Sequence, residues 1–140
     1  MSDLTDEELD FLHSTFDLAR AGDSVLLDYV DQGLPVNLAN PKGDTLLILA
    51  SYHGHAELAA GLLARGADTE RVNHRGQTAL VAAVFKQAEP IVRALLAAGA
   101  DPHGGSPDAV ATTDFFGLPA MRAILDAAET SDWKTSEALD

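Results

Sequence analysis

Cysteine is absent from this chain of 140 residues, which excludes disulfide bonds, thiolate metal sites and cysteine nucleophiles. Aromatic residues make up only 6% of the chain, so a core has to be built from small aliphatic side chains. Alanine supplies much of that apolar content, which favours closely packed helices over a sheet rich in β-branched residues. No run of 18 apolar residues occurs, and this argues against a membrane span.

Positive charge is also scarce, with 9 lysines and arginines against 22 acidic residues and a formal net charge of −13. Phosphate groups would be repelled overall, so we expect neither nucleic acid nor an anionic membrane as a partner. The first ten residues, MSDLTDEELD, are acidic and polar, which is the opposite of a secretory signal. We therefore expect a soluble cytoplasmic protein of one domain.

The strongest pattern in the chain is an internal repeat. The stretch NPKGDTLLILASYHGHAELAAGLLARGAD (40–68) aligns with NHRGQTALVAAVFKQAEPIVRALLAAGAD (73–101) at a constant offset of 33 residues. A period of this length is typical of proteins built from stacked structural repeats. One such unit cannot bury its apolar face alone, so it has to pack against its neighbours.

Each unit predicts a turn, a helix, a second turn, a second helix and a loop. The polar segment that opens it contains glycine, which suits a tight turn. The threonine that follows can cap a helix through its hydroxyl, and a glycine ends the second helix in the left-handed conformation. The first helix is apolar on nearly all sides and has to be buried. We predict caps at Thr45 and Thr78, first helices over 46–52 and 79–85, second helices over 56–64 and 89–97, and ends at Gly66 and Gly99.

This plan resembles the ankyrin repeat. The residues that carry the resemblance are KGDTLLILASYHGHAELAAGLLARGAD and RGQTALVAAVFKQAEPIVRALLAAGAD, and a weaker resemblance extends over residues 11–128. The usual Thr-Pro-Leu-His appears as TLLI and TALV, and Asn takes the place of the Asp that often opens the turn. The resemblance implies an all-α ankyrin-repeat solenoid of about four helix-turn-helix units. We divide it into an N-terminal cap (1–37), two full repeats (38–70 and 71–103), a C-terminal cap (104–130) and a polar tail (131–140).

The two caps are less regular than the repeats. Thr5 and Glu8 have capping-box spacing, and we expect the buried stripe of this first helix to be Leu9, Leu12, Phe16 and Ala19. The segment LPAMRAILDAA (118–128) resembles EPIVRALLAAG (89–99), with about four residues missing from the preceding helix. The tail beyond about Thr130 is predicted to fray, and Trp133 either folds back over the last repeat or acts as a docking tag.

His53, His55 and Glu57 are the types of side chain that bind zinc in many hydrolases. The equivalent stretch of the next repeat, 86–88, keeps neither the histidines nor the glycine between them. The position of His53-Gly54-His55 matches the turn between the two helices, where the ankyrin family commonly has Gly-His. We therefore interpret the segment as a structural turn and predict no metal and no cofactor.

The ankyrin resemblance implies a non-catalytic module that binds another protein through its turn tips and the concave face of the first helices. No set of residues suggests a converging nucleophile and base. Lys42, Arg75 and Lys86 belong to the implied surface and give an acidic chain a small basic and aromatic strip. The predicted binding residues are Pro41, Lys42, Asp44, Tyr52, His53, His74, Arg75, Gln77, Phe85 and Lys86.

We hypothesise that this strip binds an acidic segment of a partner protein. The alternative interpretation is that exposed turn tips tolerate any charge. A monomer is expected, but self-association remains open, with the acidic N-terminal cap of one copy in the basic strip of another. A further alternative is an accessory protein that protects a partner enzyme in a stress response, because some small bacterial ankyrin proteins have that role.

Overall fold

The computed structural model describes residues 5–138, with side chains up to Ala128. This part of the chain forms eight helices and no strand, apart from the isolated β-bridges Ala39–Thr45 and Gly105–Asp108. The all-α prediction is therefore confirmed. The helices are α1 (Asp6–Ala21), α2 (Val25–Asp31), α3 (Leu46–Tyr52), α4 (Ala56–Ala64), α5 (Ala79–Lys86), α6 (Glu89–Ala97), α7 (Ala109–Phe116) and α8 (Pro119–Ala138).

The helices stack in two layers. The first helices of successive pairs contact one another in the order α1, α3, α5 and α7, and the second helices do so in the order α2, α4, α6 and α8. Each pair is closed internally by contacts between its own two helices. This is the helix-turn-helix solenoid that the 33-residue period predicts, and α4 and α6 have the predicted bounds.

The core lies along the helices of the two full repeats. All residues of α3 from Leu46 to Ser51 and of α5 from Ala79 to Val84 are buried, as their all-round apolar sequence predicts. The Thr45 hydroxyl accepts a hydrogen bond from Ile48 N at 3.1 Å, and the Thr78 hydroxyl accepts one from Val81 N at 3.2 Å. Both predicted helix caps are therefore confirmed.

The N-terminal cap differs from its prediction at two positions. The capping box between Thr5 and Glu8 is formed, but Leu9 is 36% exposed and Leu12 is only half-buried, whereas Thr15 is buried. Helix α1 has 16 residues, whereas the neighbouring α3 has only 7. The first turns of α1 therefore extend beyond α3, the helix that would cover them. As a result, the predicted stripe is buried only over its later residues, such as Phe16.

The C-terminal cap is helical over a longer stretch than expected. The Asp108 carboxylate accepts a hydrogen bond from Ala111 N at 2.7 Å and so caps α7. Helix α8 then continues to Ala138, past the point near Thr130 where fraying was expected. The side chain of Trp133 lies outside the described residues, so both hypotheses for it stay predictions. None of the helices within residues 5–138 combines the length and the apolar content that a membrane crossing needs.

Candidate functional site

The turns that open the two full repeats are built in the same way. Asn40 Oδ1 accepts hydrogen bonds from the backbone N–H groups of Lys42 at 2.9 Å and Asp44 at 3.0 Å. Asn73 Oδ1 accepts the equivalent bonds from Arg75 at 2.9 Å and Gln77 at 3.0 Å. Such side-chain bonds to the following backbone are what Asn contributes to turns. They place Lys42 and Arg75 at equivalent, exposed positions of successive turns.

The successive turns are also bonded to each other. His74 N donates to Lys42 O at 2.9 Å, and Ser106 N donates to Gly76 O at 2.8 Å. Gly43 has a φ of +81°, and a Cβ added there would lie 2.9 Å from the ring of His74, so only glycine allows this close approach. The turns therefore form one continuous edge, along which the polar side chains keep fixed spacings.

Two of the predicted binding residues belong to this framework and not to the exposed surface. Asp44 is only 7% exposed, because its carboxylate accepts a hydrogen bond from Asn73 Nδ2 of the next turn at 2.8 Å. The prediction that Asp44 is an exposed turn tip is therefore wrong. Gln77 is half-buried and accepts a second bond from Asn73 Nδ2 at 3.0 Å. Pro41 and His74 are exposed, as predicted.

A groove of about 150 Å³ lies between these turns and the ends of the first helices. Half of the predicted binding residues line it, and we call it the basic groove. Its lining residues are Arg20, Lys42, Asp44, Ile48, Leu49, Tyr52, His53 and Arg75. Arg20, at the end of α1, was not predicted as a site residue. It is separated from the repeats in sequence, and only the packing of α1 against α3 brings it to this groove.

Among the described residues, two positive charges of the basic groove, on Lys42 and Arg75, lack an ion-pair partner, and so does the nearby Lys86. Within residues 5–128, Lys42, Arg75 and Lys86 have no carboxylate partner within 4.0 Å, although the chain carries 22 acidic residues. The remaining bases of this range each contact a carboxylate: Arg20 with Asp17, Arg65 with Asp31, Arg71 with Asp68, Arg93 with Glu89, and Arg122 with Asp114 and Asp126. The three unpaired bases are therefore the ones that the sequence places at the turn tips and the end of α5.

Lys86 reaches back toward the preceding repeat. A Cβ added at Gly54 would lie 3.4 Å from Lys86 Cε, so the lysine stem packs beside the turn that holds His53. Partial burial lowers the pKa of His53, and the nearby charges of His55, Arg20 and Lys86 lower it further. Burial is the larger cause, and the neighbouring positive charges add to it by disfavouring a further positive charge on the ring.

His55 has the structural role that the sequence predicts. Its Nε2 lies 2.6 Å from the carbonyl oxygen of Arg20, and since a carbonyl can only accept, the ring nitrogen donates. The ring packs against Gly22, which ends α1 with a φ of +71°. His55 thereby joins the N-terminal cap to the first full repeat. Within the described residues, no group of three or more His, Asp or Glu side chains is arranged to hold a metal ion.

Exposed aromatic rings continue from the basic groove along the ends of the first helices. The ring centroids of Tyr52 and Phe85 are 6.0 Å apart, those of Phe85 and Phe116 are 5.2 Å apart, and those of Phe116 and Phe115 are 4.9 Å apart. We call these four residues the aromatic ladder. Tyr52 and Phe85 were predicted as site residues, but Phe115 and Phe116 were missed. The sequence signal that could have found them is the capping residue Asp108. It places them at the end of α7, just as the cap Thr78 places Phe85 near the end of α5.

Comparison with known proteins agrees with this geometry. The sequence model of a family of ankyrin repeats (3 copies) matches residues 16–104, which is more than half of the chain. A protein of Pseudomonas aeruginosa whose name describes it as an ankyrin repeat protein is 60% identical over 52 residues. That match covers 36% of this chain and 30% of the relative, so the two are similar over only part of each length.

Proposed function

The chain belongs to the ankyrin-repeat family, whose repeats are generally protein–protein interaction modules, and on this basis we propose that its basic groove binds an acidic segment of a partner protein. The proposal is for a binding module without catalysis, and it concerns Lys42, Arg75 and Lys86 together with Tyr52 and His53. The alternative that exposed turn tips tolerate any charge does not explain why these bases alone lack a carboxylate partner within residues 5–128.

The proposal rests on the observation that Lys42, Arg75 and Lys86 lack ion pairs with carboxylates of the described residues. An acidic segment in the groove supplies the carboxylates that Lys42 and Arg75 do not receive from their own chain. The net charge of −13 repels an acidic partner at long range. At physiological salt this repulsion is screened beyond about 8 Å, so the local cations determine the final contact. Their charge directs the acidic segment to the groove and fixes its register there.

Tyr52 and Phe85 add an apolar contribution to the same surface. Tyr52 is 36% exposed and lines the groove with Lys42 and Arg75, and Phe85 is 44% exposed with its ring centroid 6.0 Å from that of Tyr52. Aromatic and arginine side chains in the centre of an interface supply most of its binding energy, while charges at its rim mainly determine rate and specificity. Cations beside exposed rings therefore form a surface suited to a protein segment.

The proposal is tested by affinity capture from lysate of the native host with wild-type protein and two double variants. Lys42→Gln with Arg75→Gln removes two unpaired cations. Arg71→Gln with Arg93→Gln changes the net charge equally but removes exposed arginines that already contact Asp68 and Glu89. We expect an acidic partner to be captured by wild type and control, and to be lost with the first variant. The capture also reports whether the partner is an enzyme of stress defence.

A partner that is retained equally by both double variants would place the binding surface elsewhere and contradict the proposal. Circular dichroism of each variant shows that the helices remain formed, which separates loss of binding from loss of fold. Dilution of the captured complex into rising salt supplies a second readout. An interaction based on Lys42 and Arg75 weakens as salt screens it, whereas a purely apolar one does not.

Self-association is a second candidate, and the surface of α1 favours it. Helix α1 begins with Asp6, Glu7 and Glu8, and its neighbouring Leu9 and Phe11 are exposed, so it offers an acidic and apolar surface to the groove of another copy. Light scattering across a range of protein and salt concentrations tests this. A charge-based oligomer dissociates as salt rises, and a constant monomer mass would eliminate this candidate.

A further inference from the structure

The aromatic ladder extends beyond the charged part of the groove, and we propose that the partner segment is bipartite. Its acidic residues lie over Lys42 and Arg75, and large apolar side chains a few residues away pack on Phe85, Phe116 and Phe115. This inference rests on the proposed function, since it assigns a second half to the same binding surface. It specifies the class of partner, which is a polypeptide segment with adjoining acidic and apolar parts.

The charges of the surface are distributed unequally along the stack. Arg20, Lys42 and Arg75 all line the groove beside Tyr52. Lys86 also belongs to this end, because its side chain packs near Gly54, on the α3 side of α5. Helix α5 separates α3 from α7 in the row of first helices. The cations are therefore concentrated at one end of the surface.

The other end of the surface lacks unpaired cations. Asp114 precedes the two phenylalanines, and its carboxylate is 2.7 Å from Arg122, which balances its charge. Within residues 5–128, Arg122 is the one base on α7 and α8, and it is paired with Asp114 and Asp126. An acidic segment thus has no electrostatic reason to continue over Phe115 and Phe116. An apolar continuation is the chemistry that suits these rings.

The distribution of phenylalanine supports a binding role for this end. The chain has five phenylalanines, and only Phe16 is buried. Phe115 is 81% exposed and Phe116 is 52% exposed, although the same helix buries Thr112 and Thr113. Helix α7 therefore places its polar hydroxyls inside and its largest apolar side chains outside. Adjoining exposed rings of this kind indicate an interaction surface, because an isolated exposed apolar residue is ordinary and a contiguous patch is not.

The dimensions of the ladder limit the length of the segment. Its three steps between ring centroids are 6.0, 5.2 and 4.9 Å. The path from Tyr52 to Phe115 is therefore at most about 16 Å, which an extended chain of roughly five residues spans. Because Tyr52 lines the groove together with Lys42 and Arg75, the acidic and apolar parts of the segment lie within about five residues of each other.

Selection from a random twelve-residue peptide library displayed on phage tests the inference and does not require an identified partner. The library is selected on wild type, on Lys42→Gln with Arg75→Gln, on Phe115→Ser with Phe116→Ser, and on the matched control Arg71→Gln with Arg93→Gln. Helix content and thermal stability of each variant are checked first. Deep sequencing then gives the enrichment of acidic and apolar residues at each spacing, and selected peptides are synthesised for affinity measurement.

We expect wild type and the matched control to enrich peptides in which both residue classes occur within about five positions. The lysine and arginine variant retains only the apolar enrichment, and the phenylalanine variant retains only the acidic enrichment. Synthetic bipartite peptides should bind wild type at least roughly tenfold more tightly than either half alone, since the second contact becomes intramolecular.

The other outcomes separate the two proposals. Wild-type selections that enrich acidic residues without apolar ones overturn the bipartite inference and leave the proposed function intact. Wild-type selections that enrich apolar residues without acidic ones overturn both proposals, because the basic groove then contributes nothing. Peptides whose binding is insensitive to both variants, or no enrichment on wild type, likewise contradict both proposals.

Discussion

Asn73 Nδ2 donates a hydrogen bond to Asp44 Oδ1 across 2.8 Å, and this bond joins the opening turns of two successive repeats. Both residues are buried, Asn73 at 4% exposure and Asp44 at 7%. The Asn73 amide can make this bond because it carries a donor, which an aspartate at the same position lacks. The departure from the usual Asp at this turn therefore has a structural reason in the second repeat.

The first prediction concerns this bond. Asn73→Asp removes both Nδ2 donors and places a second carboxylate against Asp44 in a buried turn. We expect the free energy of unfolding to fall by about 3 kcal/mol at neutral pH, the scale of an uncompensated buried charge. Urea denaturation followed by circular dichroism measures this loss.

Asn40→Asp is the matched control for that substitution. Asn40 makes the same two Oδ1 bonds as Asn73, but it is half-exposed, and its Nδ2 donates to no group of the described residues. An aspartate can replace both acceptor bonds there, so a change below about 1 kcal/mol is expected. Equal losses for the two variants would show that the bond between Asn73 and Asp44 does not stabilise the stack.

The second prediction concerns the joint between the N-terminal cap and the first repeat. A Cβ added at Gly22 would lie 2.5 Å from the ring of His55, so Gly22→Ala displaces that ring and breaks its bond to Arg20 O. Gly117 also ends a helix in the left-handed conformation, with a φ of +65°, but no atom lies within 4 Å of a Cβ added there. Gly117→Ala therefore reports backbone strain alone.

Thermal unfolding of the two glycine variants measures the difference. We expect Gly22→Ala to lose at least about 1 kcal/mol more than Gly117→Ala, because overpacking adds to the shared strain. If the two variants unfold at the same temperature, the contact between His55 and the cap contributes nothing to stability.

The third prediction follows from the lowered pKa of His53. Burial and the charges of His55, Arg20 and Lys86 lower this pKa in the folded state, so the unfolded chain binds a proton first as pH falls. The contribution of His53 to stability is thus present above the ordinary histidine value of about 6.5 and decreases as pH falls through it. Because His53 is only slightly buried and most of its side chain is exposed, the effect is expected to be small.

His53→Gln isolates that contribution from the many carboxylates, which titrate equally in both proteins. Urea denaturation at about pH 7.5 and about pH 5.5 gives the change in stability for each. Wild type should lose more stability between these conditions than the variant does. A larger loss in the variant would show that the pKa of His53 is raised and that its surroundings are negative.

The fourth prediction separates the exposed phenylalanines from the buried one. Phe115→Ser should change the free energy of unfolding by less than about 0.5 kcal/mol, since the ring is 81% exposed. Phe16→Ala removes a ring that is 5% exposed and should cost about 3 kcal/mol or more. A large loss from Phe115→Ser in thermal unfolding would show that Phe115 packs within the fold and is unavailable for binding.

The sequence predicts the middle of the stack accurately because its period is regular there. The constant offset of 33 residues assigns α3, α4 and α6 their observed bounds, and α5 is only one residue longer than predicted. The two caps do not follow this period, so the alignment of the repeats does not predict which positions of their helices are buried. For this reason the exposure of Leu9, Phe115 and Phe116 was not predicted.

Parts of the site depend on contacts between repeats, which a pattern within one repeat does not contain. Asp44 has the sequence of an exposed turn residue, but an amide 29 residues later covers it. Arg20 reaches the basic groove only because α1 packs on α3. The identity of the unpaired bases likewise follows from where the carboxylates lie in space, which the sequence does not give.

The most direct test of the central claim is a nuclear magnetic resonance titration of isotope-labelled protein with an acidic peptide enriched in the library selection. The account predicts that the largest shifts occur at the backbone amides of Lys42, His53 and Arg75, and that Lys42→Gln with Arg75→Gln abolishes them. Shifts confined to other surfaces, or unchanged shifts in the variant, would contradict the assignment of the basic groove as the binding site.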